Sequence, residues 1–204
     1  MPARSHSNPV FDRPQVTKPL WERRPVEFYV DPGLPELVTR PYRPSFENRF
    51  WPTIYAEGWG DWFGVFAWQS GKGDPGAGAR RELTAQSLAG LLPTALALFG
   101  WLWLLGRSAR RLRASPELLL VVLLPLAGTA GMLYFTVSYP TPDGDVIKAT
   151  YMLTTVPAWA LAFGHATEHV ARTRVALILG VILAAAALVS LRFAVYGNPL
   201  GGLL

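Results

Sequence analysis

Apolar and polar positions divide this chain near residue 82. Beyond it, uncharged stretches of 24 (83–106), 25 (118–142), 19 (149–167) and 17 residues (175–191) alternate with short charged segments. About 20 apolar residues in helical form cross a hydrocarbon core of about 30 Å. The pattern therefore predicts four transmembrane helices, at about 83–106, 118–140, 149–167 and 175–196. The fourth continues past Arg192, whose long side chain can snorkel to the interface. Pro93 and Pro125 fall inside the first two spans, where membrane helices tolerate proline. The third span is the most polar, and Pro157 predicts a kink in it.

The half before residue 82 follows another rule. Residues 1–49 carry nine prolines at nearly even spacing, which exclude a long helix and predict an extended strap, with a short strand at 26–30. Its irregular mix of charged and apolar residues predicts that the strap lies on something larger. Residues 50–68, FWPTIYAEGWGDWFGVFAW, hold eight aromatic residues and four of the eight tryptophans. Trp and Tyr pair an apolar body with a polar tip and collect at membrane interfaces, and they also stack on flat or sugar-like ligands. Residues 70–79, SGKGDPGAGA, read as a flexible linker. The fold class is all-α membrane, with about four transmembrane helices behind a Pro-rich, aromatic extramembrane segment. Its parts are the strap 1–49, the aromatic interfacial segment and linker 50–82, and the helical region 83–204.

Charge sharpens this division. Only 16% of residues are charged, against about a quarter in ordinary soluble proteins. Residues 1–82 hold eleven of the 19 Lys and Arg and ten of the 14 Asp and Glu. The isoelectric point near 9.8 does not imply nucleic acid, since the arginines flank apolar spans and form no interleaved basic patch. Disulfides and thiolate metal sites are excluded by the lack of cysteine. Arg107, Arg110, Arg111 and Arg113 follow the first span, and Arg172 and Arg174 follow the third. The positive-inside rule makes these loops cytoplasmic and puts residues 1–82, the 139–148 loop and the C-terminus outside. The first fifty residues contain no apolar run of seven that could serve as an export signal. The expectation is that helices upstream of this chain, or a partner membrane subunit, complete a larger protein.

Two polar groups are candidates for chemistry. Glu57 and Asp61 stand four apart in EGWGD among aromatic residues, as in sites where one carboxyl handles protons and another stabilises positive charge. The glycines oppose a regular helix there, and a competing reading makes both acids mere solubilisers of an aromatic loop. The loop 139–151 carries Asp143, Asp145 and Lys148, which could hold a metal, a lipid phosphate or a sugar, or could be a solvated turn with a snorkelling lysine. HATEH at 165–169 matches an inverted zinc-peptidase pattern. No Asp, Glu or His follows His169 to complete such a site, so the pattern reads as a helix end. Gly128 and Gly131, and the alanine run 184–187, read as faces for close helix packing. A transporter would carry charges within its spans, and the first three have none.

RPYRPSFENRFWPTIYAEGWGDWFG at 40–64 and GDVIKATYMLTTVPAWAL at 144–161 resemble polytopic GT-C membrane glycosyltransferases. The similarity is to bacterial members akin to protein mannosyltransferases and lipid-A aminoarabinose transferases, and it covers about residues 40–165. It implies an inverting transfer of sugar from a polyprenyl-phosphate donor on the extracytoplasmic side of the cell membrane, often assisted by a divalent metal. The catalytic carboxylate of such enzymes lies in a first extracytoplasmic loop with no counterpart here, so no catalytic residue is assigned and the chain reads as a C-terminal portion. On the resemblance, Glu57, Trp59, Asp61 and Trp62 would meet the sugar or acceptor, and Arg49, Asp145 and Lys148 the lipid phosphate. The rival expectation is a non-catalytic membrane protein whose aromatic segment binds a partner or lipid.

Overall fold

Proline forbids a helix interior but suits a helix start, where its missing N–H has no partner to lose. The computed structural model of this chain describes residues 18–47, 49–63, 76–110, 116–140 and 147–196, and three of the four described prolines before residue 40 behave in that way, while Pro32 follows the end of a helix. Pro19 precedes a 3₁₀ turn, Leu20–Glu22, Pro25 is the N-cap of α1 (Val26–Val30), and Pro35 is the N-cap of α2 (Glu36–Thr39). The described part of the expected strap is thus a string of one-turn helices, not an extended segment. The strand expected at 26–30 is the helix α1. Five residues are too few for local propensity to decide, and tertiary burial decides instead. Phe28 is fully buried against Phe50, Met132, Val137 and Ile147.

The aromatic stretch begins as a true helix, α3 (Phe50–Trp59), which runs through Gly58 and stops at Gly60. The glycines therefore end this helix without preventing it. Residues 64–68, with Phe66 and Trp68, and most of the linker lie outside the described residues.

Among the described residues, three helices are long and apolar enough to cross a membrane: α4 (Gly76–Arg110), α5 (Pro116–Ser138) and α7 (Ala176–Tyr196). At 1.5 Å per residue α4 is about 50 Å long, so its ends project beyond a 30 Å core. The stretch read as the third span divides in two. Residues Ala149–Thr155 form a 3₁₀ helix and Val156–Ala171 form α6. Pro157 lies in the first turn of α6 and makes no mid-span kink, because the 3₁₀ segment ends just before it.

Small residues let α6 lie close to α4. Ala158, Ala162 and Ala166 form a buried stripe, and a Cβ added to Gly100 would overlap the carbonyl of Ala162. Gly128 of α5 is similarly close to Thr155, whereas Gly131 faces open space and alanines 184, 185 and 187 are exposed. Close packing is thus built on Gly90, Gly100 and Gly128. At the start of α4, Gln86 donates to Ser190 at 3.1 Å and Glu82 pairs with Arg192 of α7 at 2.6 Å.

These contacts gather the polar segments at one end of the bundle. Arg24 donates to the Thr136 carbonyl at 3.2 Å in the last turn of α5, where a cation complements the helix dipole. The start of α4, the end of α5, the 3₁₀ segment and the end of α7 all meet at this end, under a cap formed by residues 18–63. Arg107, Arg110, Glu117 and Arg172 mark the opposite end.

Candidate functional site

α3 is held over α4 by its own aromatic side chains. Tyr55 donates its hydroxyl to the Ser87 carbonyl at 2.6 Å, and burial pushes its pKa up to about 12. The indole of Trp59 lies on Gly90, where a side chain would collide with the ring, and its N–H donates to Thr94 at 2.8 Å. Past the helix end the chain turns so that Trp62 is fully buried between Phe46, stacked at 6.2 Å, and Phe63, edge-on at 4.9 Å. The Trp62 N–H donates to the Ser45 carbonyl at 3.1 Å. Arg43 lies over both rings, 4.9 Å from that of Trp62 and 5.0 Å from that of Phe63.

This turn brings Glu57, Asp61 and Lys148 into one neighbourhood. Glu57 accepts a hydrogen bond from the Phe63 N–H at 3.4 Å, and the Lys148 ammonium stands 5.7 Å from the Phe63 ring centre. Burial raises the pKa of Glu57 to about 7, with a further push from the charge of Asp61. The Phe63 and Trp62 amides and the Lys148 charge pull the other way and do not cancel it. A carboxyl that titrates near neutral pH can both give and take a proton in use.

Other expected site residues are differently placed. Asp61 is only 2% exposed and acts on Glu57 through its charge. Trp62 belongs to the core, and Trp59 is committed to α4. Arg49 sits at the opposite end of α3, about 12 Å along the helix from Glu57, where it pairs with Asp31 at 3.1 Å and Glu36 at 3.7 Å. Asp145, like Asp143, lies outside the described residues. Arg43 was missed by sequence reasoning, though its place between prolines and just ahead of the aromatic stretch was the available signal.

The described residues do not fit the implied divalent metal. No group of three or more potential ligands occurs among them, and a lysine shares the surroundings of Glu57. No step through a metal is derived. In HATEH, Glu168 pairs with Arg172 at 2.5 Å and the His169 ring lies 5.3 Å from that of Trp103, as befits a helix end.

The Glu57 shift predicts a pH dependence of stability. Between the ordinary value of 4.5 and about 7 the folded chain holds a proton that the unfolded chain has released. Stability therefore falls as pH rises through this window and is lowest above it. Thermal unfolding in detergent should show a midpoint that drops from about pH 5 to about pH 8 in the native chain, with a flatter profile in Glu57→Gln. Equal slopes in the two proteins would contradict the assignment.

Comparison of the chain with protein-family models, with curated proteins and with solved structures finds no match.

Proposed function

We propose that this chain is the C-terminal portion of an integral glycosyltransferase of the cell membrane, taking sugar from a polyprenyl-phosphate donor at the extracytoplasmic face. In this reading the chain crosses four times, with the 3₁₀ segment and α6 together making the third crossing. The cap 18–63 and the 139–148 loop lie outside, over the donor. The observation that carries the reading is the juxtaposition of Glu57, titrating near pH 7, with Lys148 at the extramembrane end of an apolar helical bundle. The resemblance at 40–64 and 144–161 supports it, because both residues belong to those two stretches.

In such a transfer the acceptor hydroxyl oxygen bonds to the anomeric carbon while the bond from that carbon to the phosphate oxygen breaks, the electron pair staying on the phosphate and the hydroxyl proton passing to it or to solvent. Lys148 would meet the departing phosphate, where fixed positive charge stabilises the developing negative charge. Glu57 would contact a hydroxyl of sugar or acceptor. Asp61 is a positioning residue whose charge adds to the burial that keeps the Glu57 pKa high.

A second reading is favoured by one observation. Trp59 and Trp62 are spent on packing, so these two rings serve the structure and neither is offered to a sugar. That suits a non-catalytic membrane protein whose cap binds lipid or a partner. Binding of polyprenyl phosphate and of uncharged polyprenol, measured on the protein in nanodiscs, tests the transferase reading. It predicts clear preference for the phosphate, weakened about fivefold or more in Lys148→Ala, since a surface cation is worth about 1 kcal/mol. Equal binding of phosphate and alcohol would count against a phosphate-linked donor at this edge.

A further inference from the structure

Three faces of α4 are occupied differently where it enters the cap. Ser87, Gly90 and Thr94 receive α2 and α3, and Glu82 and Gln86 receive α7. The remaining face, about a third of a turn away from the α3 side, opens into a groove of about 530 Å³ between α2 and α4. Thr84 donates to the Thr39 carbonyl at 3.3 Å and Ser87 to the Leu37 carbonyl at 2.6 Å, which fixes α2 as the groove wall.

The lining has a polar and an apolar end. Arg40, Arg80 and Arg81 line it, with Thr84 beside them. Arg40 is shared with Glu36 at 3.4 Å. Glu82, the acid next to Arg81 in sequence, is turned away to Arg192 on α7. Further into the bundle the lining becomes Ala85, one turn beyond Arg81, and the half-exposed Leu88, two turns beyond it, and the exposed Leu91 continues the apolar surface along α4.

We propose that this groove is a binding site for an anionic glycerophospholipid, its headgroup phosphate among Arg40, Arg80 and Arg81 and an acyl chain along Leu88 and Leu91. Guanidinium groups match phosphate oxygens in charge and geometry. The change from arginine to leucine within about two turns, about 10 Å, matches the headgroup-to-chain boundary of such a lipid and no feature of a free anion. The site is separate from the Glu57–Lys148 edge and does not depend on the transferase reading. A tightly held lipid here would tie α2, and with it the cap, to the first membrane helix.

The test is native mass spectrometry of the protein released from vesicles of phosphatidylglycerol and phosphatidylcholine in equal amounts. The native chain should retain phosphatidylglycerol selectively. Arg40→Gln with Arg81→Gln should weaken retention about thirtyfold, because each interfacial cation contributes close to a factor of five. Arg107→Gln with Arg110→Gln, at the far end of α4, should leave retention unchanged. Should the double groove variant fail to fold, Arg81→Glu alone, a change at an exposed position, gives the same reading. Retention unaffected by the groove changes would overturn the proposal. So would displacement of the lipid by inorganic phosphate at equal concentration, which would make the groove a free-anion site.

Discussion

Leucine in place of Gly100 should destabilise the bundle by about 3 kcal/mol, at the upper end for overpacked positions. The reason is geometric. Gly100 lies against the backbone of α6, and an added Cβ would overlap the Ala162 carbonyl and come within 3.2 Å of the Ala166 side chain. Neither obstacle can rotate aside, since one is main chain and the other a methyl group. The helices must therefore move apart, which opens the buried stripe of Ala158, Ala162 and Ala166. Gly106, one and a half turns along the same helix, has nothing within 4 Å of its added Cβ and supplies a matched control. Thermal unfolding in detergent should show a large loss for Gly100→Leu and almost none for Gly106→Leu. Equal effects would mean that α4 and α6 do not pack at Gly100.

Trp62→Ala should cost about 3–5 kcal/mol, the range for emptying the site of a large buried aromatic. The indole is fully buried, stacks on Phe46, holds the Ser45 carbonyl and lies under Arg43. Loss of the ring leaves the cap 42–63 without its centre. The expected result is early proteolytic cleavage within the cap and a lowered unfolding midpoint, with Trp51→Ala, at a half-exposed ring, much milder. A tryptophan serving as a sugar platform would behave differently. Its removal would weaken substrate binding and leave stability unchanged.

The helices were legible where the sequence carries length and hydropathy together. Each of α4, α5 and α7 is a long apolar run ended by charges, and such a run has few alternatives in or out of a membrane. The cap was illegible for the opposite reason. A segment such as Val26–Val30 is one turn long and alternates apolar and polar residues, so local preference permits strand or helix. What fixes it is Phe28 entering a core built from Phe50, Met132 and Ile147, which come from three distant parts of the chain. The same holds at the candidate site. Glu57 and Lys148 could each be singled out, but nothing in one stretch says that it folds beside the other. The aromatic stretch misled in a specific way. Rings suited to an interface are equally suited to a core, and only the packing of Trp59 on Gly90 and of Trp62 on Phe46 separates the two uses. Gly100 carried no local signal, because the residue it must accommodate belongs to another helix.

The central claim is that residues 18–63 and the segment leading into α6 share one side of the membrane, outside, opposite the arginine-bearing ends of α4 and α6. The chain has no cysteine, so single cysteines at Lys18, Thr150, Ala109 and Arg174, all exposed, can be probed one at a time with an impermeant thiol reagent on intact cells. The account predicts labelling at 18 and 150 without permeabilisation, and at 109 and 174 only after it. Labelling of 18 and 150 from opposite sides would break the cap from the bundle, and protection of both would put the Glu57–Lys148 edge in the cytoplasm, contradicting an extracytoplasmic transferase.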